Sequence, residues 1–558
     1  MKNYLFPTKN IENIDELQDL LLKKLGFTSE EQKQNFLTPN YDTGRHDPFL
    51  LNDMEKAVVR ILRAINDKEK IVIFSDYDCD GIPGAVVLHD FFKAVGYENF
   101  TNYIPHRHYE GFGLSIEAVD KLAKEKADLI ITIDCGTTNF EAVGQANRKN
   151  IDVIITDHHE PKEELPKALA VVNPKVGDKY PFADLCGAGV VFKLVEALLE
   201  RGEFEIIKGK EKWWLDMVGL ATVSDMVPLI GENRVFAYYG LQVLRKSRRP
   251  GLQRLLRKAK ASQRFLTEDD IGFTIGPRIN AASRMDTPED AFNMLSSTDE
   301  GEAGGYVDHL EKLNNERKGL VASMSKELKK RVKEMPDLPE VLVLGSPEWR
   351  PSLVGLAANS LAEEHQRPVF LWGRDGNGFL KGSCRSDGKV SVITLMDAVS
   401  DSFVEHGGHH ASGGFTIKEE AIHTLGENLS QARRDLGEKA LSNEDVIIDA
   451  YIKLEEVNQK LLQILRTLAP FGVGNPKPLF AFKNVRPSEL NMFGKTKEHL
   501  KLNFETTGHP LEAIAFFASP ESFSKEAKVG EELTLLAHVE ESFFMNRRQT
   551  RLRIVDIV

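Results

Sequence analysis

Cysteine is scarce. Cys79, Cys135, Cys186 and Cys384 are four thiols in 558 residues, too few and too scattered for a disulfide framework. With no Cys-x-x-Cys pair, a zinc ribbon is not expected, and four reduced thiols fit a reducing compartment. Nowhere does an apolar run approach the ~20 residues that a membrane span requires. The stretch from Met1 to Gly26 mixes Lys, Glu and Asp with apolar residues, unlike the apolar centre of a signal peptide. These absences together predict a cytoplasmic protein with no membrane partner. There is also no Gly-rich loop followed by Lys-Ser/Thr, so no nucleotide cofactor is implied. Excess positive charge is missing too: 72 Lys+Arg against 84 Asp+Glu leave −12. That balance does not advertise a nucleic-acid partner, although a groove answers to its local field and not to the sum.

What is present is an ordinary globular composition of a length that predicts three or four domains. Residues 1–45 read as a polar, partly helical lead-in. Over 46–235, short β-branched runs such as Ile71-Val72-Ile73-Phe74 alternate with amphipathic stretches. That alternation predicts a parallel α/β sheet covered on both faces. Helical patterns fill 236–335, with 310–332 predicted as one long connecting helix. A smaller α/β segment follows over 336–440. Over 441–558, five short strand-like runs predict a small antiparallel β-barrel.

Four segments carry the chemistry. Asp76, Asp78 and Asp80 alternate just past the first strand, so they converge on one side of an extended chain. Ile133-Asp134-Cys135-Gly136 and Thr156-Asp157-His158-His159 follow the next strands, and Ser224-Asp225 ends an apolar helix. Ligands of parallel sheets bind at these carboxyl ends. Carboxylates ~4 Å apart repel by ~1 kcal/mol in water and ~4 kcal/mol at an effective dielectric near 20. A divalent cation removes that conflict. Carboxylate plus imidazole without thiolate suits Mn²⁺, Mg²⁺ or Zn²⁺.

These segments resemble the DHH phosphoesterase family, whose namesake triplet stands here as Asp157-His158-His159. The form Asp-Tyr-Asp-x-Asp-Gly at 76–81 is similar to the branch of bacterial single-strand-specific 5′→3′ exonucleases. The likeness continues through Ile104-Pro105-His106-Arg107, Gly111-Phe112-Gly113-Leu114, Gly276-Pro277-Arg278, Gly382-Ser383-Cys384-Arg385-Ser386, Gly407-Gly408-His409 and Pro470-Phe471-Gly472. It implies a parallel-sheet DHH domain, a long connecting helix, a smaller α/β DHH-associated domain and a C-terminal β-barrel of the OB-fold. It also implies two divalent ions, with Mn²⁺ favoured over Mg²⁺. Asp134 would bridge them, Asp78 with Asp76 would complete one, and Asp80, His158 and Asp225 the other. His159 would face the scissile phosphate, with Asp157 orienting a histidine. Ser383 and Arg385, assisted by Arg107 and by Arg278 or Arg284, would take a 5′-phosphate, and His409 would touch the strand backbone.

The expected activity is 5′→3′ degradation of single-stranded DNA to 5′-mononucleotides by a monomer serving repair and recombination. Its expected partners are DNA with a 5′ end, a single-strand-binding protein and a helicase. An oligonucleotide or cyclic-dinucleotide phosphodiesterase and an inactive DNA-binding scaffold are the rival readings. A basic run from Arg245 to Arg264 is a candidate DNA path, and Phe543, Phe544 and Arg547 near a barrel hairpin tip are candidate strand contacts.

Overall fold

The computed structural model describes residues 3–7, 13–436, 446–494, 496–508, 510–544 and 547–558. The apolar runs of the first domain become five parallel strands: β1 Ile71–Ser75, β2 Phe100–Tyr103, β3 Leu129–Ile133, β4 Asp152–Thr156 and β5 Ala170–Val172. Their order is β2-β1-β3-β4-β5. Side chains alternate between two cores. Ile71, Ile73 and Ile131 face helices α1 Gly81–Ala94, α4 Gly187–Arg201 and α5 Leu215–Ser224. Val72, Phe74 and Ile130 face α2 Ile116–Lys124 and α3 Phe140–Arg148. The chain winds one way from β1 to β2 and the other way from β3 onward. A crevice therefore opens beyond the carboxyl ends of β1 and β3.

After α6, Gly276–Met285, helix α7 runs over Glu300–Lys333. Its 34 residues span about 50 Å at 1.5 Å per residue. It begins ten residues before the predicted start because Asp299 caps it, accepting from the Glu302 N–H at 2.8 Å. Val307 and Leu310 lie in the first domain's core, whereas Met324, Leu328 and Val332 lie in the second's. The intervening turns, 315–323, bury no side chain.

The second domain is a five-stranded sheet of β6 Leu342–Gly345, β7 Val369–Arg374, β8 Leu380–Arg385, β9 Phe403–Gly408 and β10 Ser412–Ile417, ordered β9-β10-β8-β7-β6. Only β6 and β7 pair in parallel. Helix α8, Pro351–His365, packs across it.

The barrel comprises β11 Phe480–Val485, β12 Glu489–Phe493, β13 His499–Phe504, β14 Leu511–Ala515, β15 Leu533–Phe544 and β16 Arg547–Ile557. The ladder runs β11-β15-β16-β14-β13-β12. A further short strand, Ala450–Tyr451, pairs in parallel with β11 at one end of the ladder. The sequence predicted antiparallel pairing throughout, yet β14 and β16 pair in parallel, while β15 runs antiparallel to β16 on its other side.

The N-terminal segment is not a lead-in to the first domain. Helices Leu17–Lys24 and Glu30–Leu37 insert Leu17, Leu21, Leu22 and Phe36 into the barrel's core, beside Leu461, Leu465 and Phe480. Tyr4–Leu5 pairs in parallel with Val446–Ile447. Local pattern reveals only an amphipathic helix there; its partner lies over 400 residues away. We predict that Leu17→Ala destabilises the barrel by about 2–5 kcal/mol, the cost of a large-to-small change in a packed core. Urea unfolding followed at the barrel should move to lower concentration, and an unchanged midpoint would contradict the packing.

Candidate metal centre

Backbone fixes the acidic residues at the crevice, through carboxylate hydrogen bonds at Asp78, Asp80 and Asp157 and through main-chain geometry at Asp76, Asp134 and Asp225. The Asp76 N–H donates to the Ile133 carbonyl at 3.1 Å, which ties the end of β1 to that of β3. The chain then folds back so tightly that a Cβ on Gly81 would lie 2.5 Å from the Asp76 carbonyl oxygen. The Asp78 carboxylate accepts from the N–H groups of Asp80 and Gly81 at the start of α1. The Asp80 carboxylate accepts from Gly187 and Ala188 N–H, at 2.6 and 2.8 Å, where α4 begins. Unpaired N–H groups at a helix N-terminus suit an anion. Asp134 adopts φ +59°, unusual for a residue with a side chain, and presses against Gly187, where a Cβ would lie 2.6 Å from its own. Asp157 accepts from the Thr137, His158 and His159 N–H groups and from His159 Nδ1 at 2.8 Å. Asp225 caps the C-terminal end of α5.

The result is a knot of ligand atoms. His158 Nε2 lies 3.1 Å from Asp134, 3.6 Å from Asp80 and 3.7 Å from Asp225. Three sets of atoms each lie mutually within 4.8 Å: Asp76 with Asp78 and Asp134, Asp80 with His158 and Asp225, and Asp134 with His158 and His159. Asp134 and His158 belong to two sets each. No lysine or arginine pairs with Asp76, Asp78, Asp80, Asp134 or Asp225 among the described residues. Asp76, Asp134 and Asp225 each keep a buried carboxylate oxygen with no hydrogen-bond partner. Burial, and then the charge of Asp78, push the Asp80 carboxyl up to about 7. Burial, with Asp80 and Asp78, pushes Asp225 up to about 9. Burial raises Asp76 and Asp134 as well, aided by their acidic neighbours. His158 is pushed down to about 4 by burial and by His159. Asp157 goes the opposite way: burial opposes its charge, but His159's hydrogen bond and charge and the Thr137 N–H hold it below the usual range. That pairing also raises His159, against the effect of its burial. Buried oxygens without donors beside the neutral imidazole of His158 fit a divalent cation. Cys79 does not join the set, because burial drives its thiol up and Ser224 Oγ lies against its sulfur at 3.2 Å.

Three of the arginines singled out from the sequence have no carboxylate partner among the described residues. Arg107 lies over the Tyr77 ring at 4.8 Å. Arg284 donates to the Ser352 carbonyl at 2.7 Å, and burial, with Arg107 and Arg317 nearby, pushes its guanidinium down. Arg385 donates to the Cys384 carbonyl. It fits beside Ser383 against Gly355 of α8, where an added Cβ would stand 3.1 Å from the guanidinium. The first turns of α8 thus touch both Arg284 and Arg385. Arg278 is engaged elsewhere, by Glu311 at 2.6 Å and the Thr274 carbonyl. His409 is exposed in the turn between β9 and β10. The side chains of Phe543, Phe544 and Arg547 lie outside the described residues. The basic run does not form one stripe: Arg249 turns inward to Asp216 and Asp90, and Lys258 and Arg254 pair with Asp308.

Comparison with known proteins settles the family. Residues 70–222 match the DHH family, N-terminal domain, residues 339–435 the DHHA1 domain and residues 448–556 the RecJ OB domain. The chain is similar to the single-stranded-DNA-specific exonuclease RecJ of Salmonella typhimurium, 32% identical over 488 residues that cover 84% of each chain. The Escherichia coli protein of the same name is 31% identical with the same coverage. The chain belongs to the RecJ family. RecJ from Thermus thermophilus in complex with Mn²⁺ shares its fold at a TM-score of 0.80 and 25% identity, over all of this chain and 80% of that one. An exonuclease RecJ bound to manganese aligns with 68% of this chain and 94% of its own at a TM-score of 0.59 and 31% identity. Among the described residues, no helix is long and apolar enough to cross a membrane.

Sequence reasoning gave no role to two residues around this RecJ-family site, Phe112, quoted only within a motif, and Asn173. Phe112, half exposed, sets its ring 5.6 Å from His159. The flanking Gly111 and Gly113, at φ +82° and +77°, were the readable signal for a displayed aromatic. Asn173 donates to the His159 carbonyl and to Thr137 Oγ1, bracing the loop that carries both histidines. No motif announces it. The raised carboxyls also fix a pH dependence. Without metal, Asp80 and Asp225 hold protons to higher pH in the fold than in the unfolded chain, where carboxyls titrate near ~3.9. Their contribution to stability is therefore complete below that value and is lost as pH rises through about 7 and about 9. We predict that the Tm gap between Mn²⁺-loaded and chelator-treated protein widens between about pH 5.5 and about pH 7.5. A gap that narrows over that range would contradict the assignment.

Proposed function

We propose that this chain hydrolyses single-stranded DNA from a 5′ end, releasing 5′-mononucleotides, with two divalent ions, Mn²⁺ or Mg²⁺, at the crevice of the parallel sheet. The observation that supports this reading most is that two ligand sets around buried, unpartnered carboxylate oxygens are joined by a third, which shares Asp134 with one and His158 with the other. Asp76, Asp78 and Asp134 would hold one ion and Asp80, His158 and Asp225 the other, with Asp134 reaching both. Two such ions, when bound, supply a water of lowered pKa and a clamp on the phosphate oxygens.

The protein does the rest. Asp157 fixes His159 through Nδ1 and favours its charged form. Its Nε2 is then a donor for a phosphate or leaving oxygen, where negative charge grows during the reaction. Direction comes from the far wall. Arg385 and Ser383 on β8, with Arg284 and Arg107, present hydroxyl and guanidinium donors without competing carboxylates, the chemistry of a terminal phosphate site. A strand seated there by its 5′-phosphate places its first internucleotide bond toward the acidic rim. Arg278, bound to Glu311, acts on this wall only through α7. His409 on its exposed turn contacts the strand further along. The enzyme acts as a monomer in DNA repair and recombination, on strands that a helicase exposes and a single-strand-binding protein coats.

Two substitutions test this. Asp80→Ala should abolish Mn²⁺-dependent release of mononucleotides from end-labelled strands while the protein stays folded. Arg385→Ala removes a charged hydrogen bond of about 1.5–3 kcal/mol, so the preference for a 5′-phosphate over a 5′-hydroxyl should fall by one to two orders of magnitude. Equal cleavage of both ends by the unaltered protein would overturn the terminal-phosphate assignment.

A further inference from the structure

The segment Pro470-Phe471-Gly472-Val473-Gly474-Asn475-Pro476 precedes the barrel strands and has no place yet in the chemistry of strand hydrolysis. It folds into a closed loop. Asn475, 2% exposed, donates through Nδ2 to the Leu468 and Pro470 carbonyls at 2.8 and 2.7 Å. The main chains of Gly472 and Asn475 exchange hydrogen bonds at 2.9 and 3.1 Å. The loop's outer edge lies against residues 228–230 of the first domain. There the Leu229 N–H donates to the Val473 carbonyl at 2.7 Å. The approach is close: a Cβ on Gly472 would stand 2.8 Å from Leu229 Cδ1, and one on Gly474, at φ +74°, 3.2 Å from Pro228 Cβ. Each flank of the loop is anchored. Buried Arg234 donates to the Thr467 and Ala469 carbonyls at 3.4 and 3.3 Å, and Lys477 pairs with Asp269 at 2.6 Å.

What the loop grips follows a candidate metal ligand. Asp225 ends α5, and Met226 turns the chain away at φ +61° with its side chain in water. Glycine is the usual left-handed residue after a helix, and a bulkier one there is costly. Such a conformation persists where the surroundings impose it. Here the surroundings are buried Leu229 and the barrel loop that holds it. Asp78 and Asp80 receive backbone N–H donors on their carboxylates, whereas a buried oxygen of Asp225 receives none. The aim of Asp225 therefore depends on main chain, on α5 before it and on 226–230 after it.

We propose that the loop 470–476 is a positioning element of the metal centre. By clamping Pro228 and Leu229 it fixes the end of α5 and so directs Asp225 toward Asp80 and His158. The barrel module is then a component of one ion site, contributed from outside the parallel-sheet domain. Asn475 is a positioning residue, because it acts through Val473, Leu229 and Asp225. The proposal rests on the two-ion reading for what Asp225 holds, not for the clamp.

The test uses the full chain. Asn475→Ala removes the donors that close the loop. Gly474→Ala keeps those donors but drives a Cβ toward Pro228, and it serves if the first variant does not fold. In chelator, hydrogen exchange at the Leu229 amide should quicken in either variant, while binding of an oligothymidylate stays at the wild-type level. In calorimetric titration with Mn²⁺, one ion of the pair should bind about tenfold more weakly and the other as in wild type. On an Asp225→Asn background, Asn475→Ala should change Mn²⁺ affinity no further, a result that general destabilisation would not give. Mononucleotide release should show a lowered kcat at unchanged KM. Wild-type affinity for both ions alongside faster Leu229 exchange overturns the proposal, and so does unchanged exchange in both variants. Weakened oligothymidylate binding with unaltered ion uptake also overturns it and makes the loop a strand contact. A wild type that takes up a single ion strikes the two-ion reading instead. The clamp then stands if both variants weaken that ion and falls if neither does.

Discussion

Like charges buried together are the constraint on which this molecule is organised. Asp76, Asp80 and Asp134 are each at least 96% hidden from water, and Asp78 and Asp225 crowd against them. Such a cluster opposes folding unless its charge is neutralised, because burial and mutual repulsion penalise the same ionised forms. Among its described residues the fold pairs no lysine or arginine with these five acids, and Arg107 and Lys175 act on Asp76 and Asp225 only from a distance. It supplies backbone instead, with the starts of α1 and α4 binding Asp78 and Asp80 and a left-handed Asp134 wedged against Gly187. The remaining unpartnered oxygens point to cations that the protein must acquire from solution.

The rest of the architecture serves that cluster. The reversal of strand order between β1 and β3 opens the crevice where the acids converge. Helix α7 is anchored in both cores and carries the second domain to a place where α8 meets Arg284 and Ser383 and Arg385 face the same region. One wall therefore gathers carboxylates and the other guanidiniums. The strand proposed as substrate would meet cations on one side and these guanidiniums on the other.

Much of this was legible from local pattern. The alternation of Asp76, Asp78 and Asp80 past a β-branched run marked the strand and its acids, but not their arrangement: the chain folds back after Asp76 instead of staying extended, and Asp80 joins a different ligand set from Asp76 and Asp78. The rule that parallel sheets bind ligands at their carboxyl edge pointed to Asp134 and His158, whereas Asp225, at a helix end, and the division of ligands between two ions came only with the resemblance to the DHH phosphoesterases. What escaped notice depended on distant contacts. Nothing near Leu17 says that its partners are Leu461 and Phe480. Arg249 reads as part of a basic stripe until Asp90 and Asp216 close around it. Arg278 and Arg284 are indistinguishable in the motif that holds both, and only Glu311, on another helix, separates their roles. Asn173 acts through side-chain bonds to a loop that it meets only in the fold.

The central claim is that the acid–histidine knot holds a pair of divalent ions. Titration calorimetry of the chelator-stripped chain with Mn²⁺ tests it most directly. The account predicts two ions per chain, taken up with release of protons from the raised carboxyls and reduced in number by Asp80→Ala. Saturation with no bound ion, or with ions whose number is indifferent to that substitution, would contradict it.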